Sequence, residues 1–160
     1  MFDKNLLGNN INDIDKNLLA QTISKIDLFF AKFGVNIDYD NSRELFRNLK
    51  VEDVEGKQDY IVSYNEVNNT IKQNLENPDF SPKRYEAELI ESLLSVLSRK
   101  YNFEEGRYDE GLLSRDTNLE SHGNSLNEML RSYIGTLITG YNKETSVKDF
   151  YLDSPKDYET

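Results

Sequence analysis

One stretch, LLSRDTNLESHGNSLNEML, holds the side chains best suited to catalysis. His122 is the only histidine of the chain, Arg115 stands seven positions before it, and Asp116 directly follows the arginine. A histidine near its unperturbed pKa can take or give a proton near neutrality. Other chemistries are poorly supplied. Cysteine is absent, which removes thiolate nucleophiles, disulfides and thiolate metal sites. One histidine without cysteine cannot build the usual zinc sets, so no metal and no cofactor are expected. Asp38 and Asp40 alternate like the start of a calcium loop, but Arg43 occupies the sixth position, where glycine is needed, and the closing glutamate is missing. No phosphate-cradling glycine loop and no G-x-S-x-G elbow occur, so a serine triad would have to be built on His122.

The elements that would position these residues read as helices. INDIDKNLLAQTISKIDLFFAKFG carries Ile11, Ile14, Leu18, Ile23, Ile26, Phe30 and Phe33 near the 3.6-residue period, with Gly34 as a stop. VNIDY alternates briefly, as a short strand or an extended connector. DNSRELFRNLK suits a short helix capped by Asn41, with Glu44 closing a capping box. In DYIVSYNEVNNTIKQNLENP, Tyr60, Val62 and Tyr64 alternate as in a strand. Tyr60, Tyr64, Val67, Ile71 and Leu75 make a helical stripe, and helix is favoured from Ser63. Ser81 and Pro82 open a strongly amphipathic segment through Tyr101, expected to be the central helix. A long polar connection broken by Gly106, Gly111 and Gly123 follows. NSLNEMLRSYIGTLITGYN reads as the last long helix, with Ser125 and Glu128 as its capping box, Gly135 for close packing and Gly140 at its end. The expected fold is therefore all-α: an irregular bundle of about four to five helices, with room for a small β-hairpin from VNIDY and DYIVSY. An α+β domain is the alternative. Residues 1–142 form one helical domain in this reading, and 143–160 a polar tail carrying Phe150, Tyr151 and Leu152.

This arrangement would put His122 at the mouth of the last long helix. There the positive end of the helix dipole disfavours an imidazolium, so a neutral imidazole beside Arg115 could act as a base. The spacing from Arg115 to His122, the polar Asp116 after the arginine and the following Gly123 resemble the R-x4-6-H signature of HEPN domains. The HG ending resembles their abortive-infection C-terminal branch. That resemblance covers about a quarter of the chain and implies a metal-independent endoribonuclease. In it His122 would move the proton of a ribose 2′-hydroxyl or of the leaving oxygen, Arg115 would hold the phosphate, and Asp116 would orient one of them. It also implies RNA as substrate and a homodimer that pairs two motifs in one cleft. The bland alternative is a polar loop. HGNSLNE is accounted for by helix initiation alone.

Composition points elsewhere. The chain has 160 residues with a formal net charge of −10, ten tyrosines and no tryptophan. That charge repels nucleic acid at long range and, beyond keeping the chain soluble, speeds association with a basic partner. No apolar run reaches the length a membrane-spanning helix needs, and the N-terminus is unlike a signal peptide, so a cytosolic protein without membrane contact is expected. The leading expectation is a small acidic protein that binds a macromolecular partner with a basic surface, as an inhibitor, immunity protein, antitoxin or phage-conflict protein does. The HEPN-like ribonuclease is second, and a component of a phage or secretion assembly third. Glu52, Asp53 and Glu55 are the expected acidic contact patch, with Tyr108 and Tyr151 as aromatic contacts.

Overall fold

The computed structural model describes residues 2–102, 107–109 and 120–141. The chain is α+β, which corrects the all-α expectation. Helix α1 spans Asp13–Ala31, and α2 spans Arg43–Asn48 after a short 3-10 turn at Asp40–Ser42. Strands β1 (Lys50–Asp53), β2 (Val62–Asn65) and β3 (Thr70–Gln73) follow. Then come α3 (Pro82–Leu97), the short strands β4 (Lys100–Asn102) and β5 (Arg107–Asp109), and α4 (Glu120–Thr139).

The sheet order is β1-β3-β2. β1 runs parallel to β3 with Lys50 opposite Thr70, and β2 runs antiparallel to β3 with Val62 opposite Gln73. The expected helix from Ser63 is thus a hairpin. Its stripe arises by coincidence of spacing: Val67 is 97% exposed at the turn, whereas Tyr64 and Ile71 face each other across neighbouring strands. The turn is set by Asn69, whose φ of 51° an asparagine tolerates better than most residues. Its amide donates to the Leu45 carbonyl and its side-chain oxygen accepts from the Tyr64 hydroxyl. VNIDY forms no strand.

The clearest helix signals hold. Ser81 accepts from the Arg84 amide and Pro82 opens α3, whose Leu89, Ile90, Leu93, Leu94 and Val96 are buried. Asn12 caps α1. The short helix α2 is not capped as expected: Asn41 lies inside the 3-10 turn, and Ser42 precedes the helix without a side-chain cap. α4 starts at Glu120, five residues before Ser125, so Ser125 and Glu128 lie within the helix and not at its N-terminus. Gly140 ends α4 with φ 72°. α4 runs antiparallel to α3. A Cβ at Gly135 would stand 2.9 Å from the Ala87 carbonyl oxygen, while Tyr141 lies close enough to act on Arg84. One face of the sheet, with Val51, Ile71 and Gln73, packs on Leu18 and Leu19 of α1 and Tyr85 and Leu89 of α3. Phe46, Leu49 and Ile61 complete the core without exposure.

Candidate functional site

The expected reaction centre falls only in part within the described residues. Arg115 and Asp116 lie outside the described residues, and so does Tyr151. His122 is the third residue of α4, within its first turn and not in a loop before it. Tyr108 belongs to β5, in register with Tyr101 of β4.

The acidic patch is described in full. Glu52 and Asp53 occupy β1, Glu55 follows two residues beyond it, and all three are exposed. Alternation sends Glu52 to the outer face of the sheet, in the row Glu52–Lys72–Ser63. Asp53 falls on the inner face, in the row Asp53–Gln73–Val62. There its carboxylate accepts from Gln73 Nε2 at 2.7 Å, and Gln73 Oε1 accepts from the Tyr85 hydroxyl at 2.7 Å. Asp15, in the first turn of α1, shares this corner. Burial raises its pKa, the hydrogen bond from Asn12 opposes that, and the charge of Asp53 adds to the rise. Burial, then Asp15 and Asp53, push the Tyr85 phenol up to about 12. A phenol held protonated donates to Gln73 and does not serve as a base. The chain Tyr85–Gln73–Asp53 therefore fixes a carboxylate at the strand edge and has no evident proton to move. The crevice that Asp15, Gln73 and Tyr85 line is too tightly packed to hold a water molecule. Among the described residues no group of three or more metal-ligating side chains gathers.

Three features escape the sequence reading. Glu88 lies on α3 among apolar neighbours and is buried. Its Oε1 accepts from the amides of Ile61 (2.9 Å) and Val62 (3.3 Å), and its Oε2 pairs with Arg84 Nε at 2.6 Å. The only sequence signal is the i,i+4 spacing of Arg84 and Glu88. Tyr39, in a polar stretch of the sequence, packs edge-on against Phe2 and donates to Asp27. The expected apolar stripe is not all core: Ile14 is 80% exposed and Phe33, two residues past the end of α1, is 69% exposed, while Leu28, off that stripe, is 67% exposed. Phe29 stands edge-on to both Phe30 and Phe33, with centroids 5.5 and 5.3 Å apart, and Val35 just beyond is also exposed.

Comparison with family models, with curated proteins and with solved structures finds no match to this chain. Among the described residues no helix is long and apolar enough to cross a membrane.

Proposed function

We propose that the protein acts by binding a macromolecular partner, a protein with a basic surface, in the manner of an inhibitor, immunity protein or antitoxin. The observation that carries this reading is the apolar cluster at the end of α1. Leu28, Phe33 and Val35 are exposed there around the half-buried Phe29 and Phe30. Scattered exposed apolar residues need no explanation, but aromatic residues gathered on one helix end are typical of contact surfaces. Covering them releases roughly 25 cal/mol for each Å² of apolar surface removed from water. The net charge of −10 supports a basic partner, because it accelerates encounter and rejects acidic competitors.

The test is affinity capture from the native host with the wild type, the double variant Leu28→Ser/Phe33→Ser and Val67→Ser. Val67 is an exposed apolar residue outside the cluster and serves as the control. The reading predicts one protein retained at constant stoichiometry, lost with the double variant and kept with Val67→Ser. Retention of that protein by the double variant, or no specific protein with the wild type, would sink it.

A further inference from the structure

A sheet edge presents unpaired backbone groups, and the two edges here are treated differently. In the antiparallel register Ser63 and Asn65 pair inward with Lys72 and Thr70, so the amide of Val62 points out of the sheet. That amide is taken by the Glu88 carboxylate, which covers the start of the β2 edge from α3. Among the described residues the β1 edge has no such cover. Lys50 donates to the Asn69 carbonyl at 3.2 Å and Val54 to the Gln73 carbonyl at 2.9 Å, so alternate residues 50, 52 and 54 face β3. The N–H and C=O groups of Val51 and Asp53 then point outward, and β3 is the one strand that pairs with β1 among the described residues.

The side chains along this edge specify what would fit. A fourth strand would extend each cross-strand row by one residue. Beside Glu52 on the outer face, a basic residue is favoured. On the inner face the next residue would stand beside Asp53, close to Asp15, where a second positive charge relieves the repulsion that these two carboxylates exert on each other. Beside Val51 an apolar residue fits, and beside Lys50 a basic one does not. Self-pairing is opposed by the same pattern. The antiparallel arrangement that uses both Val51 and Asp53 sets Glu52 against Glu52 of the second copy, on a chain of net charge −10.

We propose that the β1 edge receives an extended polypeptide segment with two consecutive basic residues, which joins the sheet as a fourth strand beside Val51 and Asp53. This deepens the partner-binding reading and rests on it, while using a different surface from the α1 cluster. Main-chain hydrogen bonds would supply much of the affinity and the Glu52/Asp53 pair the selectivity.

The probe is a blocked nine-residue peptide of alternating threonine and valine with a central Lys-Arg pair, added to the ¹⁵N-labelled full chain at low salt. Hydrogen exchange at the amides of Val51 and Asp53 should slow by about tenfold or more at saturation, as expected when open edge groups become paired. The amides of Glu52 and Val54, already facing β3, should change little. A peptide with Glu-Glu at its centre, or one N-methylated at alternate backbone nitrogens, should not bind. Glu52→Gln/Glu55→Gln, which changes two exposed side chains, should weaken binding and flatten its salt dependence. Three results overturn the proposal: no binding of the probe at millimolar concentration, binding without protection of Val51 and Asp53, or equal binding of the N-methylated peptide. Protection of the two amides by dimerisation without peptide would assign the edge to a second copy and overturn it too. A partner captured through Leu28 and Phe33 with the edge still unprotected would leave the binding reading standing and remove only this strand.

Discussion

Glu88 offers the sharpest energetic test of the fold. Its carboxylate joins three donors: the amides of Ile61 and Val62, and the Nε of Arg84, whose Nη2 also donates to the Asp59 carbonyl; the side-chain exposures are 9% for Glu88 and 22% for Arg84. Glu88→Ala removes all three acceptor contacts. Each stranded buried donor costs about 1–3 kcal/mol, and breaking a buried pair from one side costs about 3–5 kcal/mol. Against a typical total of about 5–15 kcal/mol, a loss of about 4 kcal/mol brings the domain near its limit. Glu88→Gln keeps the shape and isolates the charge. If its amide oxygen serves the two backbone amides, its NH2 meets Arg84 Nε donor to donor, for about 2 kcal/mol. Arg84→Met leaves the carboxylate half-satisfied, for about 3 kcal/mol. Because both single changes spoil one contact, Glu88→Gln/Arg84→Met should cost about 1–3 kcal/mol less than their sum. Urea unfolding followed by circular dichroism reads this as midpoint shifts at constant slope. Single changes that add within about 0.5 kcal/mol, or a Glu88→Ala cost under about 1 kcal/mol, would refute the clamp.

Gly135→Ala should destabilise, because a Cβ at 2.9 Å from the Ala87 carbonyl oxygen forces α4 away from α3. The overpacking cost of about 1–3 kcal/mol outweighs the roughly 1 kcal/mol gained in helix propensity, and a melting temperature equal to or above wild type would refute that balance. Tyr85 should keep its proton to about pH 12, against about 10 in the unfolded chain. Its contribution to stability is therefore complete below pH 10 and is lost as pH rises through about 12. Phenolate absorbance during alkaline titration checks this: loss of the late step in Tyr85→Phe is expected, and ionisation of Tyr85 together with the exposed tyrosines would be against it. With EDTA and no added metal the wild type should leave RNA intact. Cleavage abolished by both His122→Ala and Arg115→Ala would instead favour the HEPN-like ribonuclease.

The legible parts of the fold were those where local signals and tertiary packing agree. Ser81, Pro82 and the apolar stripe of α3 all point to one buried helix, and Gly135 and Gly140 mark a close approach and a helix end in sequence and structure alike. The hairpin is hidden in the sequence because Tyr64, Val67 and Ile71 fall at helical spacing. The Asn68-Asn69 turn and the partner strand β1, twenty residues upstream in register, decided otherwise. The acidic patch was legible as composition but its geometry was not. Only the register shows that Glu52 and Asp53 point to opposite faces of one open edge. Glu88 was hidden because nothing in a helical pattern tells that two backbone amides from residues 61 and 62 will meet its carboxylate. At the end of α1 the apolar periodicity continues through Phe33, but the core stops earlier.

The mixed pairing of the sheet also fixes an order of assembly. β2 and β3 are joined by a four-residue turn, so they can zip together from local contacts. β1 lies parallel to β3 and must close a much longer loop, so it should find its register after β3 is held by β2. On unfolding, the sequence of events reverses: β1 should detach first as a unit, while the hairpin stays anchored to α3 through Glu88. For a short interval β3 would then carry the vacancy, and the chain would present a second and more apolar seam, bordered by Ile71, to whatever segment is nearby. Fidelity of this fold therefore depends on how fast β1 returns to that seam.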